Sequence, residues 1–170
     1  MCWMTVSGAL QTAALIAIGR IFDQGSPHNL DRLLRLAETN RVMFSKAALE
    51  KRKQGSAPER PVWLDQYLED IPEPSIQYFR GLRAKTKHFR WIYESTYRDL
   101  RHKVYAHRAA LDQAEVDRIV AKTNIMEFER LFLFLLSTYE SLWQLYMNGS
   151  GSRGRRLRHS VKPTRRLRVP

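Results

Sequence analysis

The sequence predicts an all-α protein, an antiparallel bundle of four to five helices followed by a basic C-terminal tail. Three observations predict it. Apolar residues recur at steps of three and four along most of the chain, as they do on one-sided helices. No segment alternates apolar and polar residues in the manner of a half-buried strand. Breaks fall between the periodic stretches, at Gly25-Ser26-Pro27 and across residues 54–74, which hold Gly55, Pro58, Pro61, Pro72 and Pro74.

Trp3, Val6, Leu10, Ala13, Ala17 and Ile21 define a first helix over about residues 3–22. Its segment Ala13 to Ile18 is apolar all round, so the helix is expected in the centre of the bundle or at a subunit interface. Asn29 can cap a second helix carrying Leu30, Leu33, Leu34 and Ala37 on one face. That pattern falters at Thr39-Asn40 and resumes at Met43, Phe44, Ala47 and Leu49, which predicts a bend or a junction of two helices. The Pro-rich stretch is a loop with room for one short turn around Val62 to Leu68. A third long helix runs from about Ser75 to Ala106, with the stripe Phe89, Tyr93, Tyr97, Leu100, Val104 and His107. Asp112 with Glu115 signals a capped start for the next helix. Ile125, Phe128, Phe132, Leu135, Tyr139, Leu142 and Tyr146 form the cleanest apolar stripe, on a closing helix. The bundle is therefore assigned to residues 1–148 and a flexible basic tail to residues 149–170, expected to be disordered when unbound.

A chain of 170 residues can bury a core without disulfides or metal. Cys2 is its one cysteine, which excludes a disulfide framework and a thiol metal cluster and fits a reducing, cytoplasmic setting. No apolar run is long enough to span a bilayer, and residues 1–19 lack the basic start of a secretory signal. No membrane partner is expected. No metal site or cofactor is expected either, because the sequence holds no phosphate-cradling glycine loop, no HExxH and no Ser/His/Asp arrangement.

The formal charge of +12 is unevenly spread. Residues 1–79 balance nine basic against nine acidic side chains, and residues 109–148 are net acidic. The excess lies in residues 80–108, with nine basic groups against Glu94 and Asp99, and in the tail, with eight basic groups and none acidic. A localised excess of this kind is the electrostatic footprint of a polyanion binder, and RNA is the expected partner. A solvated basic face is the plain alternative.

The most informative stretch is Arg101-His102-Lys103-Val104-Tyr105-Ala106-His107-Arg108, on the most basic helix. It offers a fixed cation to hold a phosphate and an imidazole that moves protons near neutral pH. Arg101 and His107 are separated by a five-residue gap. On an ideal α-helix that puts them about 9 Å apart along the axis and about 120° apart around it, so they can flank one groove. His107 continues an apolar stripe and so faces the bundle or a partner; a core histidine with a satisfied ring is the plain reading of such a position. His102, Lys103, Arg108, Arg98 and Tyr105 are candidate substrate-binding residues. His28, His88 and His159 are scattered and read as surface residues.

Leu100 to Arg108 resembles the signature of the HEPN superfamily, an arginine separated by four to six residues from a histidine. Ile18-Gly-Arg-Ile-Phe-Asp23, Leu30-Asp-Arg-Leu-Leu-Arg-Leu36 and Leu100 to Arg108 together resemble the HEPN-like family linked to abortive phage infection, type U, over roughly residues 10–147. The resemblance implies a helical HEPN bundle, a homodimer, and a composite metal-independent ribonuclease site in which Arg101 and His107 carry the family roles. Many HEPN proteins are toxins or phage-defence effectors, so a cognate antitoxin is among the implied partners. An inactive HEPN bundle that binds RNA, a nucleotide or an antitoxin, and a helical adaptor for a protein partner, are the competing readings. The chain departs from the pattern in three ways. His107 is followed by Arg108 and Ala109, unlike the toxin branch with tyrosine two positions on. Relatives are expected to carry more sequence ahead of the first helix, whose absence would expose apolar surface from Trp3 to Ile21. The basic tail lies outside the expected pattern.

Overall fold

The computed structural model describes residues 2–106 and 112–150. Its elements are α1 (Cys2–Phe22), α2 (Leu30–Thr39), a 3-10 turn (Arg41–Phe44), α3 (Lys46–Gln54), α4 (Leu64–Glu69), α5 (Ile76–Ile92), α6 (Gln113–Ala121) and α7 (Ile125–Asn148). α5 runs on through two π-wound segments, Tyr93–Tyr97 and Leu100–Ala106. Among the described residues there is no strand, and the fold is all-α as the periodicity predicts. No described helix is long and apolar enough to cross a membrane.

The starts of the helices follow from their sequence. The side chains of Asn29, Ser45, Ser75, Asp112 and Asn124 each accept a bond from a backbone N–H in the first turn of α2, α3, α5, α6 and α7 respectively. Asn29 is the most consequential of these. It is buried, its Oδ1 accepts from the Arg32 N–H at 2.9 Å, and its Nδ2 donates to the Ser26 carbonyl at 2.8 Å. Asn29→Ala should therefore cost roughly 1–2 kcal/mol, read as a fall of several degrees in the melting temperature. An unchanged melting curve would show that the cap contributes nothing.

The main core joins Leu15, Ile18 and Phe22 of α1 to Leu34 of α2, Tyr93, Tyr97 and Leu100 of the π-wound rod, and Leu131 and Phe134 of α7. Phe89 stacks on Phe134 with ring centres 4.2 Å apart. A smaller core joins Leu49 of α3 to Leu64 and Leu68 of α4, which lies within the Pro-rich stretch. The stripe read on α5 and its continuation is the buried one, with Tyr93, Tyr97 and Leu100 inside and Phe89 and Val104 packed against them.

Two other stripes differ from expectation. On α1 the buried line is Leu15, Ile18, Gly19 and Phe22, while Val6, Leu10, Ala13 and Ala17 lie on the open side. A segment apolar all round carries no periodic signal for its inner face, so the spacing selected the wrong line. On α7 the buried line is Leu131, Phe134, Thr138, Ser141 and Leu145, and Ile125, Phe132 and Tyr139 are exposed. Two hydroxyls disguised that line. Both are satisfied within the helix, Thr138 Oγ1 donating to the Phe134 carbonyl at 2.8 Å and Ser141 Oγ to the Ser137 carbonyl at 2.7 Å. Phe128, Leu135 and Leu142 of the stripe seen in the sequence still pack against the core, and its members from Phe132 to Tyr146 line an apolar groove of about 650 Å³ with residues of α2.

The end of α7 also differs from a flexible linker. Asn148 accepts from the Tyr67 hydroxyl at its carbonyl (3.0 Å) and from Lys53 Nζ at its Oδ1 (3.1 Å). Gly149 takes the left-handed conformation with φ +66° and donates to the Leu145 carbonyl at 3.1 Å. It is buried beside Ile71 and Leu49, so the first residue assigned to the tail is part of the bundle. Residues 151–170 of that tail lie outside the described residues.

Candidate active site around Arg101

Arg101 lies within the second π-wound segment. In such a segment the backbone bonds reach the fifth residue back, as the Arg98 N–H does to the Tyr93 carbonyl, and each residue turns the helix less than the α-helical ~100°. The α-helical spacing inferred between Arg101 and His107 therefore does not hold across Leu100–Ala106. Short π segments inside α-helices are frequent at functional sites.

The Arg101 side chain is largely covered and points at the end of α1. Its Nη1 donates to the Tyr93 hydroxyl at 3.3 Å and lies 3.5 Å from Asp23 Oδ2. The hydrogen bond to Tyr93 raises the guanidinium above its ordinary pKa, burial opposes this, and Asp23 raises it further. Arg101 is thus a fixed cation at every pH at which the protein is folded. Tyr93 is at the same time core, stacking on Phe22 at 5.8 Å, so the hydroxyl that meets Arg101 is set by packing. Asp23 is held from its other oxygen, since Oδ1 accepts from the Gly25 N–H at 3.0 Å. Tyr93, Asp23 and Arg98 line a common cavity of about 240 Å³.

Other expected site residues are distributed more widely. Arg98 shares the Asp23 and Tyr93 cavity and is exposed. Tyr105 lines a different cavity, with Leu15, Tyr97 and Phe128. Lys103 lies 3.5 Å from Asp99 and 3.9 Å from Glu115, and His102 is half-buried. His107 and Arg108 lie outside the described residues.

Much of the basic excess is also matched within the protein. Arg83 bonds Glu38 at 2.9 Å and lies 3.6 Å from Asp31, while Arg80 reaches Glu38 at 3.3 Å. These contacts tie α5 to α2. The Arg83 hydrogen bond, assisted by Arg80, holds the Glu38 carboxyl below the usual range against the opposing effect of burial. Arg90 faces Glu94 at 3.9 Å. For Arg80, Arg83, Arg90, Arg101 and Lys103 the charge count along the chain thus overstates the free positive surface.

The order of these parts has a counterpart among known proteins. The family model HEPN_AbiU2, described as AbiU2, matches residues 1–160. The chain belongs to the HEPN_AbiU2 family. The match begins at the first residue and runs beyond Ser150 into the basic segment, further in both directions than the resemblance over residues 10–147. Residues 151–160 of the basic segment are therefore within the HEPN_AbiU2 pattern, not outside it. No curated protein and no solved structure matches the chain.

Sequence reasoning passed over Gly19, Asp23 and Tyr93 as partners of Arg101. Gly19 and Asp23 stood in the Ile18 to Asp23 motif that carried the resemblance, where a glycine and a carboxylate one turn apart were a usable signal. Tyr93 was taken only as a member of the apolar stripe.

Proposed function

We propose that this HEPN_AbiU2 protein is a metal-independent endoribonuclease acting as a homodimer, in the setting of a toxin or phage-defence effector. The observation that carries the reading is Arg101: within a family-matched chain, the signature arginine is a covered cation oriented in advance by Tyr93 and Asp23. An arginine with part of its donor fork already satisfied loses less freedom when it binds a phosphate.

RNA supplies its own nucleophile. His107 as the neutral base takes the proton of a 2′-hydroxyl, and the 2′-oxygen forms a bond to phosphorus. The bond from phosphorus to the 5′-oxygen breaks, and a protonated imidazole gives its proton to that leaving oxygen. Arg101 stabilises the charge that builds on the phosphoryl oxygens between these events. The products are a 2′,3′-cyclic phosphate and a 5′-hydroxyl. One imidazole cannot serve both sides of an in-line displacement, so the acid is assigned to His107 of the partner subunit across a two-fold axis. Incubating the purified protein with labelled RNA in excess chelator tests the reading. Cleavage is expected, and intact RNA would leave the protein as an RNA- or antitoxin-binding bundle.

The basic tail is assigned affinity and not chemistry. Because Gly149 caps α7, a clean truncation removes residues 151–170 and leaves the cap. If about half of the tail's cations meet phosphates, its loss should shallow the log–log salt dependence of RNA binding by roughly 3 units. The maximal cleavage rate should stay close to that of the parent. A truncated protein that binds as before but cannot cleave contradicts the assignment.

A further inference from the structure

Glycine inside a helix is usually a weak point, because alanine holds the helical backbone better. Gly19 nevertheless sits buried near the end of α1, and the atoms that lie over it belong to Arg101. A Cβ built at Gly19 would come within 2.5 Å of Arg101 Cδ and Nη1 and 2.6 Å of its Nε. Carbon atoms do not approach so closely, so any side chain at position 19 displaces the arginine.

We infer that Gly19 is a positioning residue for Arg101, its bare Cα forming the slot in which the guanidinium lies across α1 between Tyr93 and Asp23. The inference rests on the reading of Arg101 as the phosphate-holding cation. The slot and the carboxylate form one unit. The Asp23 N–H donates to the Gly19 carbonyl at 2.8 Å, which fixes the carboxylate one turn beyond the slot. The Gly25 N–H then occupies Asp23 Oδ1 and leaves Oδ2 towards Arg101. Tyr93 closes the third side from the core. A long, rotamer-rich side chain is in this way confined before any substrate arrives, and such orientation is a large part of how a site lowers a barrier.

The test is Gly19→Ala in the full chain. The atoms nearest the added methyl belong to the far part of a flexible side chain, and alanine improves helix propensity, so the melting temperature should equal or exceed the parent's. Single-turnover RNA cleavage should fall on the order of 10- to 100-fold, the scale of a small misplacement at a reacting centre. In an Arg101→Ala background the same substitution should change the rate no further. A second readout is independent of activity: the Arg101 Nε–H signal in a ¹H–¹⁵N spectrum, assigned as the one lost in Arg101→Ala. In the parent it should be distinct and slow to exchange, and in Gly19→Ala it should move to the position of free arginine side chains. Asp23→Asn keeps the acceptor for Gly25 and removes only the charge, and should shift the signal part of the way. If the parent fails to cleave RNA, the ribonuclease reading fails alone and the signal still decides the slot. An unmoved signal in Gly19→Ala overturns the inference. So does a Gly19→Ala protein that melts well below the parent, since its methyl would then have met something other than the arginine.

Discussion

His107→Ala is expected to lower single-turnover RNA cleavage by roughly 100-fold or more, the scale of general acid–base catalysis. RNA binding should change little, because the basic groups that meet phosphate remain. Arg101→Ala should lower both, since the same guanidinium is asked to hold the phosphate and to stabilise the transition state. Arg101→Lys should recover only a fraction, because a lysine keeps the charge but lacks the planar fork, in which Nη1 meets Tyr93 and Asp23 while the other N–H groups can meet a phosphate. His102→Ala should retain more activity than His107→Ala. A His107→Ala protein that is folded, dimeric and as fast as the parent would make the histidine structural and the protein a binder.

The largest stability effect is expected at Phe134. Its ring is buried and stacks on Phe89 with planes 12° apart, at the seam where α7 meets α5. Phe134→Ala removes that contact and leaves a cavity that the helices cannot close, at a cost of about 3–5 kcal/mol. A domain of this kind has only about 5–15 kcal/mol in all. In urea the midpoint should fall sharply with the slope unchanged, and Phe134→Leu should lose distinctly less. A loss below about 1 kcal/mol would mean that the α5–α7 seam repacks, contrary to the close stacking. The comparison also gives a control for the site variants: an activity lost with Phe134→Ala follows folding, whereas one lost with Arg101→Ala should not.

The long helices, their breaks and two of their caps were legible because each has a local cause, although the described residues hold seven α-helices where four to five were expected. Asn29 and Asp112 announce helix starts, the prolines announce the loop, and Tyr93, Tyr97 and Leu100 mark the inner face of a helix whose outer face is charged. Legibility failed where the cause is not local. α1 and α7 are apolar on more than one side, so spacing alone could not choose between Val6 and Leu15, or between Phe132 and Thr138. The charge on residues 80–108 read as a free basic face because most of its partners, Asp23, Asp31, Glu38 and Glu115, belong to other parts of the chain. The π winding at Arg101 has no signature in residue periodicity, and it alters the angle on which any spacing argument between Arg101 and His107 rests. The arginine itself was found by motif. Its environment, a slot at Gly19 flanked by Tyr93 and Asp23, required the fold.

The chemistry of the cut ends tests the central claim most directly. RNA cleaved by the purified protein in excess chelator should carry 2′,3′-cyclic phosphates and 5′-hydroxyls, identified by mass, and neither end should form with Arg101→Ala at a comparable rate. Ends bearing a 3′-hydroxyl and a 5′-phosphate, or cleavage that appears only when divalent metal is restored, would contradict the account.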